Sequence, residues 1–325
     1  MTAKDNTGTK RPLIILTGPT AVGKTALSIG LAKAIQGEII SADSMQVYRG
    51  MDIGTAKITK EQMDGVPHHL IDIMNPSDSF HVMAFQQKCK EAMEDIYARH
   101  KIPILVGGTG FYIQSVLYDI SFTETDTDIE YRQELQKIAE EQGSYVLHAR
   151  LAKIDPEAAD EIHPNNVKRV IRALEFNHQT GEKISKHNEQ ERQRKSPYQF
   201  RYYVLSLPRE ILYDRINRRV DVMRRDGLVD EVKGLLQQGI TPDMVSMQGL
   251  GYKEIIDALQ GNCSFEEAFE RIKRETRHFA KRQFTWFRRE RDVTWINKET
   301  YENETAILQY MIEDLKNAHI LPADQ

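Results

Sequence analysis

A glycine-rich segment near the start of the chain has the residue types and spacing of a phosphate-binding loop. It consists of Gly18, Pro19, Thr20, Ala21, Val22, Gly23, Lys24 and Thr25, and it matches the pattern G-x-x-x-x-G-K-[ST]. The glycines let consecutive backbone N–H groups point at one anion, and the lysine adds a positive charge. We therefore predict a polyphosphate site, with the Thr25 hydroxyl on a Mg²⁺ ion that bridges two phosphates. The alternative is a glycine-rich turn that only packs.

A carboxylate is predicted to face this loop. Phosphate-hydrolysing proteins of this kind carry an acidic residue at the end of an apolar strand, but the apolar run 102–106 leads into Gly107-Gly108-Thr109-Gly110 without one. Asp43 instead follows the second apolar run. Side chains at the carboxyl ends of neighbouring parallel strands share one crevice, so Asp43, Thr109 and the loop should converge. This arrangement favours group transfer, with Asp43 as base or acceptor-positioning group. The alternative for Asp43 is a turn or helix cap.

The elements that must position these residues are short apolar runs separated by stretches of helix length. The helical spacing of apolar residues after the phosphate loop predicts a helix over 26–35. Strands and helices that alternate in this way are typical of a parallel sheet covered by helices. We therefore predict an α/β fold, a P-loop NTPase-like parallel sheet flanked by helices. The predicted strands are 13–16, 38–40, 70–73, 102–106 and 202–205.

Three regions are predicted along the chain. Residues 1–117 form the first part of the P-loop catalytic core. The polar, helix-prone region 118–200 is predicted to be an inserted all-helical subdomain. Residues 201–325 complete the core and form a helical C-terminal region, with a helical pattern from Arg209 onward.

The composition is that of a globular protein. Of the 325 residues, 40% are hydrophobic and 28% are charged, with a formal net charge of −4, unlike disordered or membrane chains. The N-terminal residues are polar, and no stretch approaches the ~18 apolar residues of a membrane span, so we expect a cytoplasmic protein without membrane contact. Cys89 and Cys263 are predicted to be ordinary thiols, because their surroundings show no metal-ligand spacing.

Positive charge is concentrated in one stretch. Residues 271–289 contain eight lysines and arginines against the single Glu275, with four aromatic residues interleaved. Such a local excess in a mildly acidic protein is typical of a surface that binds a nucleic-acid backbone. The aromatic residues could stack on bases or be buried, and we favour burial.

Five longer segments resemble bacterial tRNA dimethylallyltransferases. The clearest is residues 43–57, D-S-M-Q-V-Y-R-G-M-D-I-G-T-A-K, and the others are 66–70, 107–112, 166–175 and 281–288. The matching segments extend from about residue 12 to residue 290. The resemblance implies that N6 of the adenosine beside the anticodon, tRNA position 37, attacks C1 of dimethylallyl diphosphate and that diphosphate leaves.

The resemblance also implies roles for individual residues. Asp43 would accept the N6 proton and Thr109 would hold N6 beside it. Lys24, the loop amides, Mg²⁺ and Arg219 would stabilise the leaving diphosphate, although a solvated helix face is the alternative for Arg219. The residues expected to contact the tRNA anticodon stem-loop are Asp43, Ser44, Met45, Gln46, Thr109, Asn166, Val167, Lys168, Arg169, Arg172, Lys281, Arg282 and Arg288.

Other functions stay open at the level of sequence. An adenylate dimethylallyltransferase would share the donor site but use free AMP, ADP or ATP as acceptor. The insert and the basic stretch argue against it, because a mononucleotide needs no extended binding surface. An ATP- or GTP-hydrolysing RNA-binding P-loop protein would need the acidic residue that the strand end lacks, and a small-molecule kinase is least favoured. We expect the chain to act as a monomer.

Overall fold

The computed structural model describes residues 10–122 and 129–322. Residues 1–9, on which the expectation of a polar N-terminus partly rests, lie outside these ranges. The chain divides into two compact units, residues 1–117 with 197–325, and residues 118–196. The second unit ends at Ser196 rather than at 200 because residues 199–206 form a strand of the first unit.

The first unit contains one sheet in which every neighbouring pair of strands is parallel. The strands are β1 (Pro12–Thr17), β2 (Glu38–Ala42), β3 (His68–His69), β4 (Pro103–Gly107), β5 (Gln199–Ser206) and β6 (Val293–Asn297). Their spatial order is β3-β2-β4-β1-β5-β6. The apolar residues 13–16 of the central strand β1 are 0% exposed. They form a continuous apolar run rather than an alternating one because helices cover both faces of the sheet.

Fourteen α-helices lie within the described ranges. They are α1 (Lys24–Ile35), α2 (Lys60–Met63), α3 (Val82–Ala98), α4 (Gly110–Leu117), α5 (Ile129–Gln142), α6 (Ser144–Ile154), α7 (Pro156–Glu161), α8 (Val167–Thr180), α9 (Ile184–Gln193), α10 (Arg209–Arg225), α11 (Leu228–Gln237), α12 (Tyr252–Leu259), α13 (Phe265–Phe287) and α14 (Glu304–Asn317). Short 3₁₀ turns cover Val245–Gln248 and Lys298–Thr300. None of these helices has the length and apolar character that crossing a bilayer requires.

Each unit has its own buried core. In the first unit, Leu27 and Leu31 of α1 and Met311 of α14 belong to the same apolar cluster as β1. In the second unit, Leu147 of α6 and Val170 of α8 are both 0% exposed within a separate cluster. The second unit, whose described secondary structure is helical, therefore has the apolar contacts it needs to be compact by itself.

Two predictions of secondary structure differ from the structure. The run 70–73 is not a strand. β3 ends at His69, and Leu70 and Asp72 have positive φ angles of 62° and 55°. The chain turns there because the N–H groups of Ile73 and Met74 both donate to the Val47 carbonyl instead of extending β3. Conversely, the region after Arg209 is not purely helical, since β6 pairs with β5 at the edge of the sheet.

Candidate active site

The phosphate loop leaves the carboxyl end of β1 and ends at the first residue of α1. Gly18 has a φ of 141°, and a Cβ atom there would lie 2.6 Å from the Leu205 carbonyl oxygen, so only glycine fits. Lys24 is the first residue of α1, which points the free N–H groups and the positive end of the helix dipole at the loop. The local backbone is therefore built to receive an anion.

The side chain of Lys24 is hydrogen-bonded to the backbone of the phosphate loop. Its ammonium group donates to the carbonyl oxygens of Gly18 and Pro19, each at 2.9 Å. Burial, together with repulsion from Arg219, lowers the pKa of Lys24 to about 7, although the Asp43 carboxylate acts in the opposite direction. A phosphate bound here would act as an anionic partner for Lys24 and would favour its protonated form.

Arg219 projects from α10 and has no hydrogen-bond or ion-pair partner among the described residues. Burial lowers the pKa of its guanidinium, while the charge of Asp43 opposes the shift. The residue as a whole is nevertheless exposed to solvent, and a guanidinium keeps its charge in proteins. Lys24, Arg219 and the α1 dipole thus give the site more positive charge than Asp43 alone can balance.

Asp43 and Thr109 lie side by side because β2 and β4 are neighbours. Ala42 pairs with Gly107, and the Thr109 N–H donates to the Ala42 carbonyl at 3.3 Å. The Oδ1 atom of Asp43 accepts hydrogen bonds from the backbone N–H groups of Met45 (2.8 Å) and Gln46 (3.2 Å). Asp43 therefore anchors a turn, while no described residue donates a hydrogen bond to its Oδ2 atom. That oxygen is available to a second substrate.

The residues after Asp43 form the adjoining loop. Gln46 does not point freely into the site, because its side-chain amide donates to the carbonyls of Thr55 (3.3 Å) and Ala56 (3.4 Å). Met45 packs against Gly249, where a Cβ atom would lie 2.5 Å from the methionine methyl group. Ser44 is partly exposed. Of these three residues, Gln46 thus has a clear structural task.

Gln283 of α13 was missed by the sequence reasoning and joins both halves of the site. Its side-chain oxygen accepts from the Thr20 N–H, and its amide nitrogen donates to the Gly108 carbonyl, both at 3.0 Å. The side chain is nearly buried, with 6% exposure for the residue. Gln283 therefore fixes the phosphate loop relative to the turn that carries Thr109.

Two further cations lie outside the phosphate loop. A Cβ atom at Gly23 would lie 2.7 Å from Nζ of Lys298 and 3.8 Å from a guanidinium nitrogen of Arg215. Lys298 is largely enclosed and is paired at 2.6 Å with Glu304. The sequence assigned no role to either Arg215 or Lys298.

The basic stretch on α13 splits into two parts. Its first cations are paired: Arg271, Lys273 and Arg274 each contact a carboxylate. Those nearer the end of the helix and beyond it are exposed, and no described carboxylate pairs with them: Lys281, Arg282, Arg288 and Arg289. Phe287 is fully buried and the other three aromatic residues are partly buried. The unpaired cations keep their full charge for a ligand.

In the second unit, the predicted RNA-contacting residues lie at the start of α8. Asn166 precedes the helix, and Val167 packs against the core of the unit. Lys168 and Arg169 are exposed and have no partner among the described residues. Arg172 differs, because it shares the buried carboxylate of Glu175 with Arg132.

Thr25 is the one protein ligand predicted for a metal ion. It is exposed in the first turn of α1, directly after Lys24. Within the described ranges, no three His, Cys, Asp or Glu side chains are grouped to hold a metal. A hydroxyl at the mouth of a phosphate loop fits Mg²⁺, which commonly binds through one or two protein oxygens, substrate phosphates and water.

A parallel sheet with a phosphate loop after β1, and with a carboxylate after β2 two strands away, defines a P-loop-type α/β protein. The IPP transferase family matches residues 46–290, and the chain belongs to this family.

Relatives of known name agree with this assignment. The chain is 58% identical over 311 residues to the tRNA dimethylallyltransferase of Lachnoclostridium phytofermentans, covering 96% of this chain and 99% of the relative. It is 53% identical to the tRNA dimethylallyltransferase of Bacillus pumilus, covering 89% of this chain and 90% of the relative.

Solved structures are also similar. The tRNA isopentenylpyrophosphate transferase of Bacillus halodurans is 47% identical with a TM-score of 0.71, covering 96% of this chain and 99% of that one. A eukaryotic dimethylallyltransferase acting on tRNA is 32% identical with a TM-score of 0.80, covering 97% of this chain and 81% of that one.

Proposed function

We propose that the protein transfers a dimethylallyl group from dimethylallyl diphosphate to N6 of the adenosine beside the anticodon, position 37 of tRNA. The IPP transferase family and the named relatives support a prenyltransferase that acts on tRNA. One observation carries the residue-level proposal: Asp43 and Thr109 adjoin each other, and Asp43 interacts electrostatically with Lys24 and Arg219. A proton acceptor therefore lies close to two cations, Lys24 and Arg219.

On the donor side, the leaving diphosphate gains negative charge as the C1–O bond breaks. Lys24, Arg219 and the N–H groups at the start of α1 would stabilise that charge. The Lys24 ammonium group would exchange its bonds to the Gly18 and Pro19 carbonyls for phosphate oxygens. Thr25 would hold Mg²⁺, which would neutralise part of the diphosphate charge when bound. The acidic strand residue of hydrolysing P-loop proteins is absent from the Gly107–Gly110 turn, consistent with transfer rather than hydrolysis.

On the acceptor side, N6 of adenine is a weak nucleophile because its lone pair is delocalised into the ring. The available Oδ2 atom of Asp43 can accept one N6 hydrogen, and the Thr109 hydroxyl can accept the other. As the new C–N bond forms, the proton passes to Asp43. Oδ1 keeps its two backbone hydrogen bonds throughout, so the carboxylate does not rotate away from the base.

The RNA surface in this proposal comprises the unpaired cations. In the first unit, Lys281, Arg282 and Arg288 are exposed and suited to phosphate contacts with an anticodon stem-loop. In the second unit, considered by itself, Lys168 and Arg169 are exposed and suited to the same kind of contact. Arg172 is a weaker candidate because Glu175 already engages it. The target adenosine must leave the loop stack to reach Asp43. We further propose a monomer that works in the cytoplasm.

The test is transfer of labelled prenyl group from dimethylallyl diphosphate to unmodified tRNA, with AMP as a parallel acceptor. Asp43→Asn should lose about 10²- to 10⁴-fold in rate, the usual contribution of a general base. Asp64→Asn, which changes an exposed carboxylate paired with Lys33, is the matched control. Label on AMP alone would point to the adenylate enzyme instead. Absence of transfer to either acceptor, with ATP hydrolysed, would reject the prenyltransferase proposal.

A further inference from the structure

A glutamate outside the catalytic group is bound by four donors. Glu231 of α11 accepts hydrogen bonds from the backbone N–H groups of Asp52 (2.8 Å), Ile53 (2.7 Å) and Gly54 (3.0 Å), and from the Tyr252 hydroxyl (2.7 Å). Burial, reinforced by the charge of Glu231, raises the pKa of Tyr252, so its hydroxyl stays a donor. Three consecutive N–H groups converging on one carboxylate make this a strong, charge-assisted anchor.

The anchored residues belong to a tight loop. The N–H of Ala56 donates to the Ile53 carbonyl at 3.0 Å, and the N–H of Lys57 donates to the Asp52 carbonyl at 2.9 Å. Tyr252 also restricts the loop sterically, because a Cβ atom at Gly54 would lie 2.5 Å from its ring. Residues 52–54 are therefore contacted directly by α11 and α12, while Lys57 at the end of the loop donates to the Tyr48 carbonyl at 2.6 Å.

The same loop holds Gln46. The Thr55 and Ala56 carbonyls accept the Gln46 side-chain amide, and the Gln46 backbone N–H donates to Oδ1 of Asp43. A continuous series of hydrogen bonds thus leads from Glu231 through residues 52–56 and Gln46 to the carboxylate proposed as the base. Its links at Gln46 are 3.2 to 3.4 Å long, which makes them the weakest and the most sensitive to displacement.

We propose that Glu231 is a positioning residue for the transfer reaction and acts through Asp43. This inference rests on the proposed function. Among the described residues, Glu231 is the only side chain that accepts hydrogen bonds from the N–H groups of residues 52–54, so weakening these bonds lets this part of the loop shift and disturbs the Gln46 contact. A displacement near 1 Å at a reacting group can cost up to about 10²-fold in rate.

Glu231→Gln is the informative change because it keeps the side-chain shape. An amide nitrogen on either side of the carboxamide would face backbone N–H donors, so at least one anchor bond is lost. We expect kcat for tRNA prenylation to fall about 10-fold, with KM for dimethylallyl diphosphate unchanged, because in the described part of the chain Glu231 has no hydrogen bond to the phosphate loop. Rates are normalised to the fraction of molecules that bind labelled donor, which removes any loss of folded protein.

The matched control is Glu38→Gln, a buried carboxylate at the opposite end of β2 from Asp43. It should lower stability and leave the normalised kcat within about twofold of wild type, as expected for a site with no link to the reacting groups. Equal effects of the two changes on normalised kcat would overturn the proposal. If wild-type protein prenylates no tRNA, the proposed function itself fails, which is a different result.

A double-mutant cycle separates positioning from a general structural role. If Glu231 acts through Asp43, Glu231→Gln should have little further effect on kcat in an Asp43→Asn background. Multiplicative losses would contradict the inference. Tyr252→Phe, which removes one of the four donors and retains the ring beside Gly54, should give a smaller loss than Glu231→Gln. A larger loss would also contradict it.

Discussion

Replacing Gln283 by leucine should damage stability and catalysis together. The substitution removes hydrogen bonds to the Gly108 carbonyl and the Thr20 N–H. The Gly108 partner is buried, and leaving such a group unsatisfied costs about 1–3 kcal/mol. Water can reach the partly exposed Thr20, so its bond contributes only about 1 kcal/mol. The free energy of unfolding should therefore fall by roughly 2–4 kcal/mol.

The same change loosens the phosphate loop and the turn before Thr109, so kcat/KM for tRNA prenylation should fall about 10-fold. Urea denaturation and transfer assays on the same preparation measure both quantities. Thr285→Ala, an exposed position on the same helix, should change the unfolding free energy by less than about 0.5 kcal/mol. A stability loss below about 0.5 kcal/mol together with wild-type kcat/KM would refute the reasoning.

Three further predictions concern charged residues. The pKa of Lys24 in the ligand-free protein is about 7, and the protonated side chain is the form that binds diphosphate. The kcat/KM for dimethylallyl diphosphate should therefore decline as pH rises above about 7. Lys24→Arg should shift that decline to higher pH, because a guanidinium stays protonated. Burial acts to raise the pKa of Glu38, but hydrogen bonds from Arg99, His69 and Lys101 dominate and hold it at about 2. Stability from this group is therefore present above pH 4.5 and lost as pH falls towards 2, and acid titrations of Glu38→Gln should lack that component. Lys298→Met should raise KM for dimethylallyl diphosphate about threefold with kcat unchanged, whereas Lys33→Met, at the far end of α1, should leave both constants as they are.

The parts of the site that the sequence predicts are those set by local chemistry. The buried run 13–16 followed by Gly18 determines strand and loop within a few residues, and no distant contact is needed to recognise them. The proximity of Asp43 and Thr109 follows one step later, because parallel neighbours align their carboxyl ends. The family resemblance drawn from the motifs is confirmed by the IPP transferase match and the named relatives.

The parts that the sequence did not predict depend on partners far away in the chain. The apolar residues Leu70, Ile71 and Ile73 have the pattern of a strand. The backbone leaves the sheet there because the N–H groups of Ile73 and Met74 donate to the Val47 carbonyl. β6 is a short edge strand with Trp295 39% exposed, so its burial pattern is weak, and it becomes a strand only through β5. Gln283 lies 263 residues from Thr20, and no local pattern marks it.

The order of strands along the chain also has a consequence for synthesis on the ribosome. β1 occupies the middle of the sheet, but its partner β5 begins only at Gln199, and the edge strand β6 begins at Val293. Before β5 has been synthesised, β1 can pair with β4, but its other edge has no partner strand and is prone to aggregation. The helical unit 118–196 has its own core, so it can condense before β5 emerges and shorten the flexible chain between β4 and β5. Its position in the chain thus lowers the entropic cost of completing the nascent sheet.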